Sequence, residues 1–421
     1  MTVRISGITV TPVAFHDPPL LNATGVHEQW ALRGVVEVAT DDGLTGLGET
    51  YGDEAHLAMV RAAADALLGT DPYDLHRVGT LVAECVGSAV VTHQHGLTGA
   101  GSNQKTADGV FSPFEVACLD IQGKAAGRPV VDLLGGPVRS AVPYSAYLFY
   151  KWAAHPGAPE DPFGAALDPG GIVAQARRLV ADYGFGSIKL KGGVFPPDEE
   201  VAAVRALAEA FPGMPLRLDP NAAWTPQTSV RVAAELAGVL EYLEDPTSGI
   251  DGMAEVASRS PMPLATNMCV VTPDHLPPAV AQGAIGVLLI DHHYWGGLRR
   301  STQMAALCQT FGIELSMHSN SHLGISLAAM THLAAAVPNV NHACDTHTPW
   351  QNGQDVVAAG ALRFSGGAVA VPEAPGLGVD LDRDALAAMH EQYLRCGITR
   401  RDDTTYMRRF QPDYQPKTRF W

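Results

Sequence analysis

A near-constant period is the strongest constraint on what this chain can fold into. Short apolar runs recur after residue 183, and each ends on a polar side chain: Lys191, Asp219, Glu244, Asn267, Asp291 and His318. Counted from Lys191, the separations are 28, 25, 23, 24 and 27 residues. A strand, a crossover helix and two short loops occupy about that length, so the period predicts repeated βα units with parallel strands. Repetition in this number predicts a (β/α) barrel. Every polar residue named then sits at the C-terminal end of its strand, the barrel face that carries catalysis.

The first rung is the stretch Ile188-Lys189-Leu190-Lys191-Gly192-Gly193. Side chains alternate along a strand, so Lys189 and Lys191 share a face and Leu190 takes the other. Two buried ammonium groups are costly unless something uses them. One lysine can lower the pKa of another at close range, which makes a base usable near neutral pH. Two solvated lysines at an exposed strand end would be the plain alternative.

Asp219, Glu244 and Asn267 close three successive rungs. Three oxygen donors converging at a barrel mouth suit a hard divalent cation that keeps positions for substrate, so Mg²⁺ is the expected metal. Any one of these residues alone would read as a helix cap. Zinc is the competing metal, because His318 and His322 are four apart and His292, His293 and His342 are available, but there is no HExxH pattern. Asp291 and His318 end neighbouring rungs, and a carboxylate bonded to imidazole orients it and raises its pKa. A lysine base, a His–Asp pair opposite and a metal between them predict proton abstraction next to a carboxylate, with the metal stabilising the resulting enediolate.

The 421 residues suffice for one large barrel and a smaller domain. Hydrophobic residues at 46% and charged residues at 17% predict a well-buried globular fold. The net charge of −16 argues against non-specific nucleic-acid binding. No apolar run is long enough for a bilayer and Met1-Thr2-Val3-Arg4 lacks a signal-peptide core, so no membrane association and a cytoplasmic location are expected. Six scattered cysteines without a CxxC pair are expected as buried thiols.

Ahead of the ladder, residues 3–14, 34–40 and 44–49 read as an antiparallel meander, with helices over Glu54–Leu68 and Asp74–Cys85. Residues 86–108 read as a long loop, and 113–126 as a helix. The expected division is an N-terminal α+β capping domain over 1–135, a barrel over 136–375, and a C-terminal segment, 376–421, that returns to the cap. Residues 142–150 are the expected first barrel strand and 152–170 an insertion over the barrel mouth. A strand over 340–344, ending in Asp345-Thr346-His347, follows the ladder, and 366–371 with 375–380 close it. Leu386–Tyr393 reads as an amphipathic helix against the first domain.

These motifs resemble the enolase superfamily and, within it, the D-glucarate dehydratase family. The resemblance covers nearly the whole chain and rests on IKLKGG (188–193), LDPNAAW (218–224), EDP (244–246), LATNM (264–268), Asp291 with Tyr294-Trp295, HSNSHLGISLA (318–328) and DTHTPWQNG (345–353). It implies an α/β architecture, a capping domain on a modified (β/α)7β TIM-like barrel, with Mg²⁺ on Asp219, Glu244 and Asn267. It implies that Lys191, with Lys189 beside it, takes the C5 proton of D-glucarate. His318, held by Asp291, would abstract from the other face of the epimer L-idarate and protonate the leaving 4-hydroxyl, giving 5-dehydro-4-deoxy-D-glucarate. It implies substrate contacts at Asn22, His27, Tyr147, Asn221, Ser319, Asn320, His347 and Arg401, the last within one residue of register because Arg400 adjoins it. Lys105 and Ser102 are further candidates from the 86–108 loop, whose GAGSNQK departs from the enterobacterial pattern. By the same analogy the partner is a small diacid sugar and the chain is expected to form a homo-oligomer. Another acid sugar of the galactarate type, or a non-catalytic metal- and anion-binding relative, are the alternatives.

Overall fold

The computed structural model describes residues 3–91, 99 and 101–421. The cap is built on a three-stranded antiparallel sheet, β1 (Ile5–His16), β4 (Trp30–Thr40) and β5 (Thr45–Tyr51), in the order β1-β4-β5. A two-residue hairpin, β2 (Leu21–Asn22) and β3 (Gly25–Val26), lies between β1 and β4. Helices α1 (Glu54–Leu67), α2 (Leu75–Val86), α3 (Asn103–Ala126) and α4 (Val130–Leu133) follow.

Helix α3 corrects the expected loop over 86–108. It begins at Asn103, ten residues before the expected start, and carries Pro113 inside it. Ser102 caps it by accepting from the Lys105 amide, a role that N-cap chemistry explains without a substrate. The helix packs directly on β5 because Gly46 and Gly48 have no side chain. A Cβ at Gly48 would lie 2.1 Å from the Pro113 carbonyl oxygen, and one at Gly46 2.0 Å from that of Ala117. Residues 92–98 and 100 of the former loop lie outside the described residues.

After the short strand β6 (Ala141–Pro143), the barrel alternates as the period predicts. Its units are β7 (Ala146–Phe149) with α5 (Pro169–Tyr183), β8 (Ile188–Lys191) with α6 (Pro197–Ala210), and β9 (Leu216–Asp219) with α7 (Pro226–Glu235). Then come β10 (Tyr242–Glu244) with α8 (Gly249–Ala257), β11 (Leu264–Thr266) with α9 (Leu276–Gln282), β12 (Val287–Ile290) with α10 (Gly297–Thr310), and β13 (Glu314–Met317) with α11 (Gly324–Ala336). All seven strands are parallel neighbours in chain order.

Two sequence expectations change here. The strand over 142–150 is split. Residues 141–143 pair with a hairpin, β14 (Phe364–Ser365) and β15 (Ala368–Ala370), and only 146–149 enter the barrel. The strand over 340–344 forms no ladder. It closes the seam through single bridges, Leu315 to Val340 and Tyr144 to Cys344, and Asp345 donates its amide to Met317. The result is a (β/α)7β barrel whose last stave is irregular.

Helix α11 is buried at all thirteen positions, as expected of a helix apolar all round. Helix α12 (Arg383–Cys396) packs on β1, and α13 (Asp403–Arg408) on β3, so the end of the chain returns to the cap. The cysteines are free thiols: Cys118, Cys269, Cys308 and Cys344 are buried, but Cys85 is exposed. No helix among the described residues is long and apolar enough to cross a membrane.

Candidate active site

Register decides what faces the barrel axis. Tyr147, Lys189 and Arg217 align across β7, β8 and β9, and Phe149, Lys191 and Asp219 align one step nearer the mouth. The alternation expected for the two lysines therefore holds. They do different things. Lys189 is fully buried, with Nζ 2.7 Å from Asp345 Oδ2, 2.6 Å from Glu244 Oε2 and 3.5 Å from Asp219 Oδ2. Burial disfavours its charge, but Asp345 and Glu244 outweigh burial and hold its pKa well above the ordinary lysine value. Lys191 Nζ contacts Asp219 Oδ2 at 2.7 Å, and its side chain lines a cavity at the barrel mouth.

Asp219, Glu244 and Asn267 are fully buried at the ends of β9, β10 and β11. Beyond the Lys189 ion pair, neither carboxylate oxygen of Glu244 has a donor among the described residues. Burial, and the charges of Asp219 and Asp345, hold its pKa well above the usual carboxylate range despite Lys189. A buried carboxylate left so poorly compensated, beside two further hard oxygens, fits a divalent oxophilic cation such as Mg²⁺. The loops that follow are conformationally strained. Asn221, Ala222 and Asp245 have φ of 51°, 57° and 34°, a region that non-glycine residues adopt at a cost and that clusters at functional sites. Asn221 braces Asp219 through its amide and its Nδ2, both 3.0 Å from Oδ1. Asp245 accepts from the Asn267 amide at 2.8 Å and from Thr266 Oγ1 at 2.5 Å, so it aims Asn267.

Across the mouth, Asp291 Oδ2 lies 2.9 Å from His318 Nδ1. Burial alone would raise the Asp291 pKa, but His293 and His318 hold it well below the usual range. An ionised carboxylate only accepts, so Nδ1 of His318 carries the proton and Nε2 is left for the cavity that His318 lines. The expected rise in the His318 pKa does not occur. Burial, helped by Lys189 and Lys191, lowers it below 6.5 against the pull of Asp291. His318 therefore rests as a neutral imidazole.

The cavity also draws in Asn22 and His27 from the β2–β3 hairpin, Tyr147, Ser319, Asn320, His347 and Arg401. Arg401 is buried and lines the cavity, whereas Arg400 is exposed. Arg401 is paired with Asp403 at 2.8 Å and Asp17 at 2.8 Å, and Asp17 in turn orients His27 Nδ1 at 3.1 Å. Ser319 Oγ meets His347 Nδ1 at 3.1 Å. Lys105 is placed differently, with Nζ 4.8 Å over the Tyr294 ring and a pKa lowered by burial to about 7. Two of the histidines offered to zinc are held by protein groups at both ring nitrogens. His293 is engaged at both ring nitrogens, and His342 bridges Glu241 and Glu314 at 2.8 Å each. Sequence reasoning passed over Asp17, Asp245, Asp345 and Arg33, and named His293 only as a zinc candidate. Asp245 and Asp345 stood inside quoted strand-end motifs, whereas Arg33 carried no local signal.

Comparison with known proteins agrees with the fold. Residues 5–135 match the mandelate racemase / muconate lactonizing enzyme N-terminal domain, and residues 171–385 the enolase C-terminal domain-like family. The chain belongs to the enolase superfamily. It is 56% identical to a Streptomyces coelicolor protein named "probable glucarate dehydratase", over 98% of this chain and 97% of that one. A superfamily structure from Thermobispora bispora, complexed with magnesium and formate, superposes with a TM-score of 0.99 at 72% identity, covering 99% of this chain and 100% of that one. One from Pseudomonas fluorescens, with bound magnesium, potassium and tartrate, gives 0.96 at 49% identity, covering all of both chains.

Proposed function

We propose that this superfamily enzyme dehydrates D-glucarate, and its epimer L-idarate, to 5-dehydro-4-deoxy-D-glucarate. The observation that carries the reading is one cavity lined at once by Lys191, by His318 and by the cap residues Asn22 and His27. Support for the substrate class comes from the 56% relative named for glucarate and from the tartrate, a hydroxylated diacid, in the Pseudomonas fluorescens neighbour. The magnesium of two neighbours supports assigning Mg²⁺ to Asp219, Glu244 and Asn267, where it would stabilise negative charge building on the substrate carboxylate.

Lys191 Nζ, unprotonated, takes the C5 proton of D-glucarate. The electron pair left behind expels the C4 hydroxyl, which takes a proton from His318 Nε2 and departs as water, and the enol tautomerises to the ketone. The dianionic substrate beside His318 favours its carrying that proton. With L-idarate, His318 Nε2 takes the C5 proton from the opposite face, the role for which its neutral resting state is suited. Lys189, fixed as a cation among three carboxylates, contributes charge and position. His27, Asn22, Tyr147, Asn221, Ser319, Asn320, His347 and Arg401 hold the substrate or the groups that touch it.

The test is a product and exchange assay in D₂O with Mg²⁺, an EDTA control, and D-glucarate, L-idarate and galactarate side by side. Metal-dependent keto-deoxy acid from D-glucarate is the expected result. Exchange without dehydration would move the enzyme to an epimerase reading, and reaction of galactarate alone would move the substrate.

A further inference from the structure

A buried chain of polar contacts runs from the His318 side of the mouth into the cap. Asp291 spends one oxygen on His318 and the other on His293, whose Nδ1 lies 2.6 Å from Oδ1. His293 Nε2 lies 2.7 Å from Arg33 Nη2 and 2.7 Å from Ser326 Oγ. A guanidinium only donates, so this ring nitrogen accepts, and the proton of His293 is placed on Nδ1, aimed at Asp291. Arg33 comes from β4, in the cap, and is fully buried. Its Nε is 2.7 Å from Glu49 Oε1 on β5. Glu49 also accepts from the amides of Leu323 and Ser326, both at 2.9 Å, where α11 begins. Arg33 Nη1 reaches Asn320 Oδ1 at 3.5 Å.

Two consequences follow. With Arg33 in place, the Nε2 lone pair of His293 is taken up by hydrogen bonds, and Nδ1 is directed at the Asp291 oxygen that His318 does not use. The arrangement also exists only when the cap is seated on the barrel, because Arg33 and His293 belong to different parts of the fold.

We infer that Arg33 and His293 are positioning residues that fix the proton arrangement of the Asp291–His318 pair, making the His318 half of the reaction depend on a cap side chain. The inference rests on the proposed two-base reaction, in which Lys191 and His318 serve opposite faces of C5.

The two faces provide the test. In D₂O, Arg33→Met is expected to slow exchange from L-idarate, and dehydration of both acids, by about a hundredfold, the scale of a misplaced general acid–base. Lys191-side exchange of the D-glucarate C5 proton should stay within about threefold, because Lys191 does not touch this chain of contacts. Equal losses for both exchanges, with a lowered Tm, would make Arg33 merely structural and overturn the inference. Removing Arg33 strands the Glu49 charge, so a second pair of variants leaves that ion pair intact. His293→Leu should repeat the selective loss. His293→Gln, which can still donate to Asp291 and accept from Arg33, should recover at least about tenfold over it. No recovery would count against the inference. Histidine ¹⁵N NMR needs no substrate: His293 should be found as the tautomer with its proton on Nδ1 and Nε2 accepting. A proton on Nε2, or on both nitrogens, would overturn the arrangement whatever acid the enzyme uses. Wild-type protein inert toward both acids but with the expected NMR state would instead sink the substrate assignment and spare the proton arrangement.

Discussion

At the scale of single residues, environment rather than residue type sets the chemistry. Lys189 and Lys191 are two positions apart, yet only Lys191 lines the cavity, while Lys189 is locked among Asp345, Glu244 and Asp219. Lys191→Ala is expected to abolish D-glucarate turnover while metal binding, followed by titration calorimetry, persists; unchanged rates would remove Lys191 as the base. For His318 the sign of the pKa shift yields a pH prediction. Its neutral form is the base toward L-idarate, and burial lowers its pKa below 6.5. The acid limb of the pH–rate profile for L-idarate exchange should therefore bend below 6.5, and an inflection above 7 would contradict the assignment. That histidine and its carboxylate partner were legible as strand ends. The direction of the shift was not, because it depends on burial and on two lysines that reach His318 only through the closed barrel.

At the scale of elements, the period of the βα units carried most of the fold into view, since each unit is a local pattern of alternation and helical spacing. What it missed is equally physical. Residues 103–108 read as part of a loop, 86–108, rich in Gly, Ser, Thr and His, yet they are helical, with Ser102 as cap and a sheet to pack against. Propensity yields to tertiary packing there. The packing rests on bare glycine: Gly48→Ala would drive a Cβ into the Pro113 carbonyl and should cost roughly 3 kcal/mol or more, the upper range for overpacking. Gly7 has nothing within 4 Å of its added Cβ, so Gly7→Ala should shift stability by less than about 0.5 kcal/mol. Thermal melts of the two variants side by side check both.

At the scale of the whole molecule, the end of the chain ties the cap to the catalytic loops. Lys417 donates its amide to Ala23 beside Asn22, Arg419 to Ala222, and Phe420 and Trp421 to Ala223. Removing residues 415–421 is expected to lower kcat/KM by about tenfold or more, as losses behind a metal site do, with far-UV circular dichroism unchanged. Acid stability is a second global property. His332 is buried, accepting from the Val131 amide at Nδ1 and donating to Leu377 O from Nε2, and burial lowers its pKa to about 4. A base with a depressed folded pKa binds protons better unfolded, so its contribution is present above pH 6.5 and is lost as pH falls toward 4. His332→Gln keeps both hydrogen bonds and should flatten that acid decline by on the order of 3 kcal/mol, without changing turnover per folded molecule. Denaturant titrations at pH 7 and 4.5 measure it.

By itself, the sequence determined the order and direction of the barrel strands, the placement of Lys191, Asp219, Glu244, Asn267, Asp291 and His318 on one face, and the return of the last segment to the cap. The first two follow from short-range periodicity, and the last from an amphipathic helix, Leu386–Tyr393, with no partner nearby in sequence. Only the tertiary structure decided that 340–345 closes the barrel without a ladder and that Arg401 rather than Arg400 is buried at the cavity. It also decided that Asp345 neutralises Lys189 and that Arg33 reaches His293. Those outcomes depend on contacts between residues 156 and 260 positions apart and on the low polarity of the space they share, and neither is written in any local stretch of the chain.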